Sequence, residues 1–106
     1  MTEKRRKRLE SAGWRVGDAR EFLSLSNEEA TLIEIRLALA RGLRVRRARG
    51  KLTQAELAHR IGSSQSRVAK METGDPTVSL DLLVRSLLAL GVDPRELARI
   101  IGAAAA

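Results

Sequence analysis

Polar residues able to start a helix, and glycines able to stop one, divide residues 26–102 into short pieces. No other feature limits the fold as strongly. Ser26 with Glu29, and Thr53 with Glu56, have the spacing of a capping box, in which two side chains each bond the other's backbone N–H. Ser63 and Ser64 stand ahead of a third stretch over residues 65–72, and Ser79 ahead of a leucine-rich fourth. Asp93, Pro94 and Glu96 combine an N-cap, a first-turn proline and a capping acid for a last helix to Ile101. Asp18 with Glu21 adds a short helix through Leu23. Gly62, Gly74 and Gly91 fall where these helices should end, since a left-handed residue commonly closes a helix. The long helix opening at Ser26 should run to about Arg49 and end at Gly50 and Lys51. Gly42 sits inside it at a cost of about 1 kcal/mol, so it marks either close packing or a break.

The apolar residues follow the same division. Leu32, Ile35, Leu39 and Leu43 recur at helical spacing, as do Leu57, Ala58 and Ile61. Val68 and Met71 form a narrower stripe, and Leu80, Leu83, Leu87 and Leu90 a fuller one. No run keeps a strand period, so the chain reads as all-α. At 106 residues it can bury one core without staples. Three parts are expected: a basic arm and extension over residues 1–25, a helical domain over 26–101, and a frayed tail over 102–106.

The 20 Lys and Arg against 13 Asp and Glu give a net charge of +7, which favours a polyanionic partner. Residues 1–52 hold 14 basic and 7 acidic side chains, whereas residues 53–106 hold 6 of each. Lys4-Arg5-Arg6-Lys7-Arg8 reads as an arm or as a solvated tail. The acid-free residues 36–51 carry Arg41, Arg44, Arg46, Arg47 and Arg49, suited to phosphates or to an acidic partner. With no Cys and the single His59, neither a metal site nor a thiol nucleophile is expected. No phosphate-binding glycine loop or convergent acid–base pair is evident either, so neither an enzyme nor a cofactor is expected. The absence of an apolar membrane stretch makes a cytoplasmic, nucleoid-associated location the expectation. Trp14 and Phe22 are the two aromatics, too few for a base-stacking platform, so duplex binding is favoured over single strands. Both suit a core or subunit contact.

Residues 52–74 carry the functional signal. Two short helices joined through Gly62, Ser63 and Ser64 can cross steeply and let the second project. Val68 and Met71 would anchor that second helix, leaving Gln65, Ser66, Arg67 and Lys70 outward. Gln can pair two-pronged with adenine, and Arg or Lys with guanine, in a major groove.

This segment, LTQAELA at 52–58, an apolar residue and Gly at 61–62, and SSQSRVAKMETG at 63–74, followed by GVDPREL at 91–97, resembles the phage repressor and Cro proteins of the XRE helix-turn-helix family. The resemblance covers residues 31–101. It implies a lambda-repressor-like five-helix DNA-binding domain, here with an N-terminal extension. It also implies a dimeric transcriptional repressor acting on an operator with inverted half-sites. Gln65, Ser66, Arg67 and Lys70 would then read bases. Gln54 would contact a phosphate and brace Gln65, with Arg44, Arg47 and Thr73 as further phosphate contacts. Lys51 departs from the family pattern, where Gly is usual. Thr73 replaces a common Asn, and Arg46 a common apolar residue, which would turn that helix face towards solvent or DNA. The extension GWRVGDAREFLSLSNEEA at residues 13–30 also looks like that of HigA-type antitoxins. That likeness implies a RelE-like toxin as a further partner, met by Asp18, Glu21, Glu28 and Glu29.

Overall fold

The computed structural model describes residues 26–103. The basic run at residues 4–8, the helix expected from Asp18, and Trp14 and Phe22 lie outside the described residues, as do residues 104–106. Within them the chain forms five helices and no strand: α1 (Asn27–Arg49), α2 (Gln54–Ile61), α3 (Gln65–Thr73), α4 (Leu80–Ala89) and α5 (Pro94–Gly102).

Every helix starts on a side chain that accepts from a backbone N–H three residues on: Ser26 from Glu29, Thr53 from Glu56, Ser64 from Arg67, Ser79 from Leu82 and Asp93 from Glu96. At α2 the box is reciprocal, with the Thr53 N–H donating to Glu56 Oε1 at 3.0 Å. That backbone bond holds the Glu56 carboxyl below its ordinary value.

The first four helices end alike. A left-handed residue, Lys51, Gly62, Gly74 or Gly91, donates three residues back, and its successor donates five residues back, which satisfies carbonyls the helix leaves open. α1 shows the strain in this arrangement. Gly50, the smaller residue, has an ordinary φ of −79°, whereas Lys51 takes φ 57°. A Cβ in that conformation costs about 1–2 kcal/mol.

α1, 23 residues and so about 35 Å long, is the member against which α3, α4 and α5 pack, while α2 lies on α3 and touches α4. The core between them comprises Leu39 and Leu43 of α1, Leu57 and Ala58 of α2, Val68 and Met71 of α3, Leu83 and Leu87 of α4, with Val78 and Val92 from the connections. Each fully buried leucine here is worth about 1.5–3 kcal/mol over its exposed state. Leu32 shares the helical spacing of Leu39 and Leu43 but is exposed, and Ile35 is only partly buried. Within α1 the clustered core therefore starts at Leu39, about three turns in, with Ile35 packed against it.

Gly42 marks close packing: α1 continues unbroken through it, and a Cβ there would lie 2.9 Å from Ile100 Cγ2 of α5. One turn on, Arg46 pairs with Glu96 of α5. Arg46 was expected to face solvent or DNA. It is instead half-buried between α1 and α5, because its head reaches a carboxylate fifty residues away.

Two stability measurements follow. Lys51→Gly should raise the unfolding free energy by about 0.5–1 kcal/mol by removing the left-handed strain. Gly42→Ala should show none of the usual helix gain in the native background but recover about 1 kcal/mol in an Ile100→Ala background. Denaturant unfolding of the single and double variants reads both.

Candidate nucleic-acid interface

α2 and α3 are joined by the left-handed Gly62 and then by Ser63 and the cap Ser64, so the chain turns sharply between them. Leu57 and Ala58 hold α2 to the core. Val68 and Met71, both with no exposed surface, hold α3. With one side of α3 fixed, its other side points away from the protein. Gln65, Ser66, Arg67 and Lys70 are all exposed there, as is Thr73. The four candidate base-reading side chains are thus on one open face, and none forms an ion pair among the described residues. The Ser66 hydroxyl lies 3.2 Å from that of Ser64.

A shallow cleft of about 290 Å³ runs along this face, lined by Ser64, Ser66, Arg67 and Lys70 on one side and by Thr77 and Val78 on the other. The second wall comes from the α3–α4 connection. Asp75 builds that wall: its Oδ1 accepts from the Thr77 N–H at 2.8 Å and from the Thr77 hydroxyl at 2.6 Å. Those bonds, helped by the charges of Lys70 and Arg36, hold its carboxyl below the ordinary range.

The expected phosphate contacts sit in three environments. Arg44 is exposed on α1 and has no hydrogen-bond partner among the described residues. The Thr73 hydroxyl donates to the Lys70 carbonyl at 2.9 Å, so its proton is spent within the helix. Gln54 Nε2 donates to Glu72 Oε1 at 3.1 Å. The brace foreseen between Gln54 and Gln65 is thus made to Glu72, and a second amide proton remains for another acceptor.

Arg47 is the most committed. It grips the Glu72 carboxylate with two nitrogens and donates through Nη1 to the Leu52 carbonyl at 2.8 Å. Its side chain is 17% exposed and that of Glu72 only 3%. Planar two-pronged pairing of this kind is the strong form of a charge-assisted bond. The sequence reading overlooked Glu72, although it stands four residues after Val68 and next to Met71 on the buried stripe of α3. An acid at core spacing is the signal that could have found it. Burial pushes the Glu72 carboxyl up, but the hydrogen bonds from Arg47 and Gln54 and the charges of Arg47 and Arg44 outweigh burial and hold it below its ordinary value.

The described residues contain no group of three His, Cys, Asp or Glu side chains able to hold a metal ion, and no helix long and apolar enough to cross a membrane. His59 is exposed on α2.

A depressed carboxylate lends stability above its unfolded pKa, about 4.3 for Glu, and that contribution is lost as pH falls through the folded value. Glu72→Gln should therefore cost about 3 kcal/mol at neutral pH, where it leaves Arg47 without its counter-charge. The gap to the native chain should close as pH falls from about 5, which thermal melts across that range would show.

Among known proteins, the family described as helix-turn-helix has a model that matches residues 43–97. No curated protein and no solved structure matches the chain.

Proposed function

The chain belongs to the XRE family of helix-turn-helix DNA-binding transcription regulators, and we propose that it is a dimeric repressor that reads an inverted-repeat operator through α3. The exposed Gln65, Ser66, Arg67 and Lys70 on a helix anchored by Val68 and Met71 carry this reading. These are side chains able to pair with base edges in a major groove. A lone short helix reads only a few base pairs, so useful selectivity calls for two copies on half-sites about 34 Å apart. Arg44, the second amide proton of Gln54, and Thr73 after rotation of its hydroxyl serve as phosphate contacts. Arg47 acts on DNA chiefly through the placement of α3, because its donors are held by Glu72 and Leu52.

Enrichment of random duplexes by the purified protein at near-physiological salt tests this directly. An inverted repeat with one-turn spacing is expected, and sequence-blind, salt-sensitive binding would overturn the proposal. On the recovered site, Gln65→Ala and Lys70→Ala should each lose about 1–3 kcal/mol of preference for the operator while keeping nonspecific binding. Arg44→Ala should weaken all duplexes alike and lower the salt slope by about one.

A second reading, an antitoxin that also neutralises a RelE-like ribonuclease, is favoured by the part of α1 ahead of residue 43. Glu28 and Glu29 are exposed there, followed by exposed Leu32, Ile33 and Leu37. Such a surface suits a basic partner with an apolar contact. If a basic ribonuclease is encoded alongside, the two proteins should co-purify, and Glu28→Lys with Glu29→Lys should break that complex while leaving DNA binding in place. Failure to co-purify would remove this reading.

A further inference from the structure

The connection between α3 and α4 is fastened at three levels. Asp75 N–H donates to the Lys70 carbonyl at 3.1 Å, and Val78 N–H returns to the Asp75 carbonyl at 3.1 Å. The Asp75 carboxylate locks Thr77 by two further bonds. The third fastening comes from outside: Arg36 of α1 donates through Nη1 to the Val78 carbonyl. Beside it, Leu37 presses on the exit of α3. A Cβ at Gly74, which has φ 75°, would lie 2.7 Å from Leu37 Cδ2. Arg36 and Leu37 both precede residue 43, where the family match begins. This brace therefore lies outside the stretch that the family match covers.

We propose that Arg36 is a positioning residue for DNA recognition, pinning the α3–α4 connection so that the Thr77 wall stands at a fixed distance across the cleft from Ser66, Arg67 and Lys70. The proposal rests on α3 being the base-reading helix. Residues 74–77 have no apolar side chain in the core; the connection is anchored there only through Val78. Without the guanidinium, the Val78 carbonyl loses its partner on α1 and the loop gains freedom to lean towards or away from Lys70. Lys70 is tied to this loop through its own carbonyl, which accepts from Asp75. A duplex docked on α3 lies against both walls, so a loosened wall changes the fit to the chosen sequence more than it changes the general attraction of the basic face.

The test uses the full chain with Arg36→Met, which keeps an aliphatic stem, and Arg36→Lys, which restores one donor. Hydrogen exchange of the Asp75, Thr77 and Val78 amides is measured with the thermal melt, alongside affinity for the enriched operator and for a random duplex at one salt concentration. In Arg36→Met those amides should exchange about tenfold faster, and the operator-to-random affinity ratio should fall about three- to tenfold, the size expected for the net contribution of one hydrogen bond. Arg36→Lys should recover much of both effects. Unchanged exchange would overturn the pinning role. Equal weakening on both duplexes would overturn positioning in favour of a plain charge effect. A native chain with no operator preference would remove the base-reading assignment and this proposal together, whereas a native preference that Arg36→Met keeps would overturn this proposal alone.

Discussion

The carboxylate of Glu72 is the point from which the geometry of the recognition surface is set. An ionised group with 3% of its side chain exposed is unstable without partners, because burial removes hydration worth several kcal/mol. Its partners come from separate parts of the chain: Arg47 near the end of α1 and Gln54 in the first turn of α2. Arg47 in turn holds the Leu52 carbonyl of the connection between them. One charge therefore joins three helices and a loop around a single centre. Hydrophobic packing through Val68 and Met71 keeps α3 against the core but does little to fix its rotation, since apolar contacts are non-directional. Directed bonds to Glu72 supply that missing constraint at the C-terminal end of α3.

The start and stop of each described helix were legible because the signals are local. A cap bonds a residue three positions away, and a left-handed terminator needs little besides its own backbone freedom. Even the departure at Lys51 was visible as a residue standing where Gly is usual. Its conformation supplies the reason. The outward set Gln65, Ser66, Arg67 and Lys70 was equally readable, because two buried positions on a short helix determine which sides stay open.

The arginines were not legible in the same way. Residues 36–51 read as a uniform basic surface, yet Arg36, Arg46 and Arg47 spend donors on Val78, Glu96 and Glu72, which lie 42, 50 and 25 residues away. A guanidinium on a long stem reaches partners that no spacing rule can anticipate, and its charge looks the same whether it meets solvent, phosphate or a buried acid. Arg41, Arg44 and Arg49 remain exposed. The basic character of α1 is thus divided between holding the fold and offering charge outward. Glu72 and the Asp75–Thr77 wall escaped notice for the same reason: what they do depends on neighbours brought near only by folding.

The seam between α1 and α5 has a consequence for motion. α5 has no fully buried residue. It is held by partly buried Leu97, Ile100 and Ile101, by the fit of Ile100 on Gly42, and by the Arg46–Glu96 pair. Regions with few buried contacts open at a lower free energy than the core does. α5 is therefore the described helix best placed to lift away while the other four stay folded. Its departure would uncover the Gly42 notch on α1 and free Arg46 as an added positive charge, so a fluctuation at the C-terminal end of the domain would alter both the shape and the charge of its longest helix.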